Sequence, residues 1–173
     1  MDLASRIRSI PDFPKPGILF RDITTLIKDG QAFHEAVDEL GRRFNGRRVD
    51  KVAAIEARGW IFAAPMAYRL GAGFIPIRKP NKLPFEKERC EYELEYGSNW
   101  LEIHTDAVAP GEKVLLVDDL LATGGTARAS IELIERLGGE VVGVGFLVEL
   151  VDLKGREQLA GYDLQSIIRF EGE

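Results

Sequence analysis

The sequence predicts an α/β fold in which a largely parallel, twisted sheet is flanked by helices. Three observations carry that prediction. Four apolar runs of strand length recur along the chain: VAAI (52–55), FIPI (74–77), VLLV (114–117) and VVGVGFLVEL (141–150). Segments of helical period follow VAAI and VLLV, the alternation expected of a parallel sheet. The polar turns EARG, RK and DDLLATGGT each stand just past such a run, at the strand end where these sheets bind ligands.

In chain order, the lead-in SIPDFPKPGILFRDITTLI carries Pro11, Pro14 and Pro16. Proline fixes φ and removes a donor, so an extended, rigid segment is expected. QAFHEAVDELGRRF places Phe33, Val37, Leu40 and Phe44 at steps of three and four, an amphipathic helix. After 52–55 the turn EARG leads into WIFAAPMAYRLG, a second helix. The strand at 74–77 ends on Arg78 and Lys79. The interval 79–100, KPNKLPFEKERCEYELEYGSNW, is charged and proline-containing, yet YELEYG alternates like a strand. A span this long within a compact domain is usually a functional lid, and a hairpin-like flap is expected. ARASIELIERLGG keeps Ile131, Ile134 and Leu137 in three-residue steps as a third helix.

Bulk properties narrow the function classes. A chain of 173 residues, 45% hydrophobic and 29% charged, is one domain by length, residues 1–173. The net charge of −5 gives no footprint for a nucleic acid partner, so any anion site is local. No apolar stretch is long enough to span a membrane, and MDLASRIRSIPDF has no signal-peptide core. The single cysteine, Cys90, fits a reducing, cytoplasmic compartment and is expected as an exposed thiol. His34 and His104 lack partners at metal-ligand spacing, and no G-x-S-x-G elbow is present.

The chemistry concentrates in VLLVDDLLATGGTA. Gly124 and Gly125 permit positive φ and close approach to a ligand, Thr123 and Thr126 add hydroxyls, and Thr126 is expected to cap the helix beginning near Ala127. Free amides at a helix start bind phosphate, so 122–126 reads as a phosphate cradle. Neither G-K-[ST] nor G-x-G-x-x-G is present, which excludes a Walker loop and a dinucleotide fingerprint. Carboxylates repel phosphate, so Asp118 and Asp119 must face another part of the same ligand. Ribose hydroxyls fit, at roughly 1.5–3 kcal/mol per charge-assisted hydrogen bond; a Mg²⁺ ion is the other candidate. Neighbouring side chains on a strand point to opposite faces, so both acids serve one ligand only if the strand ends there.

VLLVDDLLATGGT resembles the ribose-5-phosphate signature of the type I phosphoribosyltransferases. PDFPKPGILFRDIT, EARGW, IRKPNKLP, LEYG and VDLKGREQL resemble, in the same order, the members of that family that act on adenine. The resemblance spans about 7–170. It implies a type I phosphoribosyltransferase fold with an N-terminal base-binding hood (1–30) and a flexible flap (79–100). The implied reaction converts adenine and phosphoribosyl pyrophosphate to AMP and pyrophosphate, with Mg²⁺ bound alongside the sugar donor and no metal held directly by the chain.

The resemblance also implies roles. Ala122, Thr123, Gly124, Gly125 and Thr126 hold the 5′-phosphate, and Asp118 and Asp119 the ribose hydroxyls. Arg58, Lys79 and Arg78 bind pyrophosphate, Arg78 being similar to a residue that reaches a neighbouring subunit's site, hence a homodimer. Leu19, Phe20 and Arg21, mostly by main chain, hold adenine together with Leu150. Glu95 and Tyr96, on the flap, join Arg58 as catalytic groups, Glu95 managing the purine proton. Trp60 stands where the family often has Phe, which reads as a core change. Taken alone, Arg21 also suits a structural ion pair with Asp22. Two other readings stand: a phosphoribosyltransferase for another base, distinguished by PGILFRDI, and a phosphoribosyl-pyrophosphate-sensing regulator, which would carry a basic surface.

Overall fold

Five parallel strands form the central sheet of the computed structural model, which describes residues 1–93 and 97–172. In chain order these strands are β3 (Lys51–Ile55), β4 (Gly73–Ile77), β7 (Lys113–Leu121), β8 (Glu140–Leu150) and β9 (Leu164–Phe170), and they lie side by side as β4-β3-β7-β8-β9. Alternate residues feed two cores. Val52, Ala54, Leu115 and Val117 face the helices α2 (Gly30–Arg43) and α3 (Arg58–Leu70). Ala53, Ile55, Val114 and Leu116 face α4 (Gly125–Arg136) and an antiparallel hairpin, β5 (Lys87–Glu93) with β6 (Ser98–His104). With both faces covered, the strands read as unbroken apolar runs rather than alternating ones.

Helix α2 shows how sequence sets these positions. Asp29 caps it, its side chain accepting from the amides of Gln31 (3.0 Å) and Ala32 (3.1 Å), worth about 1 kcal/mol. Val37, Leu40 and Phe44 are buried, and Phe33 meets the Phe62 ring of α3 edge-on at 5.8 Å. The Phe44 ring explains two glycines in a strand: a Cβ at Gly143 would stand 2.5 Å from it and one at Gly145 3.0 Å.

Several expectations are corrected. The lead-in is not merely extended: β1 (Arg8–Pro11) and β2 (Leu19–Asp22) form their own antiparallel hairpin, followed by the short α1 (Thr24–Ile27). The interval 79–100 does end in a hairpin, but β6 continues to His104. Cys90 is buried, because alternation turns it inward with Tyr92, and burial pushes its thiol pKa up. Strand β7 does not stop at the acids but runs through them to Leu121. Thr126 is not the cap of α4; Gly124 holds that position, and Thr126 lies inside the first turn with its carbonyl accepting from Ser130 Oγ at 2.8 Å. Strand β9 and the four-residue α5 (Gly155–Gln158) were not foreseen.

Asp22 locks the N-terminal hairpin to α1. Hydrogen bonds from Thr24 and the Arg8 guanidinium hold its carboxyl from the usual 3.8 down to about 2. A depressed pKa means stability that is present above the unfolded value and lost as pH falls through the folded one. The stability advantage of wild type over Asp22→Asn is therefore expected to be constant above about pH 4 and to vanish near about pH 2. Urea midpoints measured across that range check it; a gap that persists at the acid end contradicts it.

Candidate active site

The strand order reverses direction between β3 and β7, so the loops leaving their carboxyl ends diverge and open a crevice. Helices α3 and α4 both start there, and neither has a side-chain cap. Their first amides lack intrahelical partners, and two positive helix ends converge on one space. A cavity of about 250 Å³ occupies it, lined by Glu56, Arg58, Lys79, Asp118, Asp119 and Thr126 among others. A second, of about 140 Å³, is lined by 122–126 and shares Ala122, Thr126 and Tyr92 with the first.

The acid pair meets at α3 although β7 continues past it. Asp118 Oδ1 accepts the Asp119 amide at 2.9 Å, and Asp119 Oδ2 lies 2.8 Å from Arg58 Nε. Gly59 is what lets α3 come so close, since a Cβ there would stand 2.6 Å from Asp118 Oδ1. Burial pushes the Asp118 carboxyl well up, and the Asp119 charge adds to it. Asp119 is also raised by burial, with the Arg58 guanidinium pulling it back. Both carboxyl groups line the cavity, where they can hydrogen-bond the hydroxyls of a ligand.

Arg58 is the first residue of α3 rather than part of a turn, with its guanidinium 6.0 Å above the Phe20 ring. Lys79 lines the same cavity, and its amide donates to Glu56 Oε1 at 2.8 Å. Glu56 is a group that sequence reasoning missed. Its carboxylate also takes Arg78 Nη2 and Lys82 Nζ, both at 3.0 Å. Burial raises its pKa, but these cations and the Lys79 amide outweigh that, so the net shift is downward. Arg78 is thus turned onto Glu56 and over the Trp60 ring at 5.2 Å, and it does not line the cavity with Lys79. Trp60 is more than a core change, since its Nε1 donates to the Ala54 carbonyl at 2.9 Å.

In the cradle, Gly124 adopts φ 89° and α4 begins at Gly125, leaving the amides at the turn directed at the smaller cavity. Beyond Arg58, Phe20 packs edge-on against Phe13 at 5.1 Å, and Arg21 lies 3.8 Å over the Phe170 ring while donating to Ser9 Oγ at 2.6 Å. Phe170 pairs with Leu150 across β8 and β9. Leu19, Phe20, Arg21 and Leu150 are therefore gathered around a residue, Phe170, that the sequence did not single out, but none of them lines either cavity. Asp22 is engaged by Arg8. Glu95 and Tyr96 lie outside the described residues. Their neighbour Tyr92, buried on β5, lines both cavities; its signal was the alternation that also buries Cys90.

Comparison with known proteins gives one answer. Residues 24–169 match the phosphoribosyl transferase domain. An adenine phosphoribosyltransferase of Symbiobacterium thermophilum is 56% identical over 170 residues, covering 98% of this chain and 100% of that one. The enzyme of the same name from Halothermothrix orenii is 57% identical over 169 residues, 98% and 99% of the two chains. Among solved structures, the adenine phosphoribosyltransferase of Thermoanaerobacter pseudethanolicus superposes with a TM-score of 0.95 at 56% identity, covering 98% of each chain. That of Saccharomyces cerevisiae, complexed with D-2,5-dideoxy-2,5-imino-altritol 1,6-bisphosphate and adenine, gives 0.90 at 36% identity, covering 95% and 96%. With its cradle, its acid pair and its strand order, the chain belongs to the phosphoribosyltransferase family, among the adenine phosphoribosyltransferases.

Proposed function

We propose that this chain transfers the 5-phosphoribosyl group from phosphoribosyl pyrophosphate to adenine, releasing pyrophosphate and AMP. One observation carries the reading: an uncapped helix start behind a Gly-Gly turn opens onto the same crevice as two buried acids. The bisphosphate and adenine in the yeast relative, and the 9-deazaadenine in a 36%-identical Giardia lamblia relative, support it.

In this reading 122–126 grips the 5′-phosphate and Asp118 and Asp119 the sugar diol. Arg58 and Lys79 neutralise the departing pyrophosphate as its bond to the anomeric carbon breaks and the base nitrogen attacks. Holding both substrates in line supplies up to about 7–11 kcal/mol. Glu95 takes the purine proton, and Tyr96 closes with it. Among the described residues no three of His, Cys, Asp and Glu gather as a metal cage. A Mg²⁺ that keeps most of its ligands as substrate phosphate oxygens and water would enter with phosphoribosyl pyrophosphate rather than on a side chain. When bound, the ion supplies charge neutralisation at the leaving group. Adenine is read by the free edge of β2, whose other edge pairs β1. Its alternating carbonyl and amide match the 6-amino donor and N1 acceptor, whereas a 6-oxo base would set acceptor against acceptor.

Residues 1–30 serve as hood and 79–100 as flap. The homodimer and the Arg78 contact in trans also belong to this reading: Tyr68 (91% exposed) and Phe74 (37%) lie on α3 and the edge strand β4, a surface suited to a second copy. Sedimentation as a single 19.3 kDa species with full activity would contradict it. No helix of the described residues is long and apolar enough to cross a membrane, and a cytoplasmic enzyme fits.

The test is turnover with adenine, guanine and hypoxanthine, each with phosphoribosyl pyrophosphate and Mg²⁺. Adenine is expected to exceed the others by about 10⁴-fold in kcat/KM, the scale of a site built on hydrogen bonds. Comparable conversion of guanine would assign the enzyme to another base, and chelation of Mg²⁺ is expected to stop the reaction.

A further inference from the structure

We propose that Arg156, clamped by Glu149, is a positioning residue for the 5′-phosphate, locking the 153–158 loop behind the phosphate-binding turn with Gly155 as the point of contact. The proposal rests on reading 122–126 as the phosphate cradle, and it gives VDLKGREQL a role that the reaction as derived leaves open. Gly155 lies directly behind the cradle: a Cβ there would stand 2.2 Å from the Ala122 carbonyl oxygen and 2.8 Å from Leu121 Cδ1. Reciprocally, a Cβ on Gly124 would stand 2.6 Å from the Gly155 carbonyl oxygen and 3.3 Å from Gln158 Cβ. Two main chains therefore touch with no side chain between them. Lys154, at φ 55°, turns the chain into that contact.

The loop is fastened one residue further on. Arg156 Nε and Nη2 meet the two oxygens of Glu149 at 3.0 and 2.6 Å, a two-point ion pair with a planar fork. The same guanidinium reaches the Leu164 carbonyl and Ser166 Oγ, each at 3.3 Å. Glu149 has a side chain only 4% exposed, accepts from Ser166, and has Arg169 at 3.7 Å. In the sheet it sits directly beside Leu121, the last residue of β7 before the cradle. Burial raises the Glu149 carboxyl, but the Arg156 and Ser166 hydrogen bonds outweigh it and keep it charged. On its outer side the loop borders an open cavity of about 650 Å³, lined by Thr123, Gly125, Leu153 and Gln158 among others, so packing there does little to hold it. The ion pair, together with Leu159 buried in the core just beyond the loop, then keeps Gly155 pressed on the turn. Amides that grip a phosphate tolerate little drift, since a displacement of about 1 Å can reduce rates about 10²-fold.

The experiment measures phosphoribosyl pyrophosphate binding by calorimetry, together with the KM of each substrate, in wild type, Arg156→Ala, Arg156→Lys and Gly155→Ala. Arg156→Ala is expected to weaken phosphoribosyl pyrophosphate binding about tenfold or more while the KM for adenine stays within about twofold. Arg156→Lys is expected to recover part of the loss, because an ammonium cannot make the two-point pair. Gly155→Ala keeps the ion pair and is expected to give the same selective loss, so the proposal is still tested if Arg156→Ala does not fold. Unchanged affinity in the folded variants, or an equal loss for both substrates, overturns it. Wild-type protein that binds phosphoribosyl pyrophosphate without making AMP would refute the adenine reading alone, and the binding comparison would still decide this one.

Discussion

Gly124→Ala is expected to lower kcat/KM for phosphoribosyl pyrophosphate by about 10²-fold or more. Two physical terms coincide there. The residue sits at φ 89°, a left-handed conformation that costs an L-residue roughly 1–2 kcal/mol. The added Cβ would also stand 2.6 Å from the Gly155 carbonyl oxygen, a backbone atom that cannot swing aside. The turn must shift, and its amides shift with it. The residues proposed for adenine, on β2 with Leu150, are not touched, so the loss is expected in the sugar donor rather than the base. Steady-state kinetics with each substrate varied in turn, beside a melting curve, decide it. Wild-type kinetics in a folded Gly124→Ala protein would remove the turn from the phosphate site.

Asp119→Asn is expected to reduce kcat/KM by about 10- to 100-fold, the equivalent of one charge-assisted hydrogen bond to the diol. The substitution also takes away the partner that holds Arg58 at 2.8 Å. Stability should move the other way. The Asp119 pKa is raised in the fold by burial, against the pull of Arg58. The folded state therefore holds its proton more tightly than the unfolded chain, and ionising the group as pH rises destabilises the fold. At neutral pH the Asn variant is expected to melt no lower than wild type, which separates lost chemistry from lost structure. Activity of the wild type is expected to rise with pH through the raised carboxyl values, and in the variant that acid limb should move to lower pH, because Asp118 loses the neighbouring charge that helps to raise it. A variant that loses activity only because its melting point collapses would contradict this assignment.

What could be read from the sequence followed from how local each signal was. Strands β3, β7 and β8 were visible because both of their faces are covered, which forces apolar runs, and β4 because FIPI is a short apolar run even at the sheet edge. Strand β9 escaped because of LQSIIRF only Leu164 and Ile168 are buried, so it presents no continuous apolar run. The Gly-Gly turn before α4 and the adjacent acids were legible because their groups are contiguous in the chain. The expectation that the strand ends at the acids nevertheless failed; what meets them is Arg58 and Gly59, brought in by the first turn of α3. Glu56 looked like any turn acid, and its weight comes from Arg78, Lys79 and Lys82 arriving 22 to 26 residues later in the chain. The hood's hairpin was hidden by prolines that suggest extension without saying what pairs with it. Gly155 gave no signal of its own, since the reason for a glycine there is the Ala122 carbonyl more than thirty residues away.

The most direct measurement is a crystal structure of the protein grown with AMP. We expect the 5′-phosphate within hydrogen-bond distance of the amides and hydroxyls of 122–126, the ribose hydroxyls on Asp118 and Asp119, and the purine against β2. Clear density for AMP with its phosphate on any other part of the surface, and the 122–126 turn vacant, would contradict the site described here.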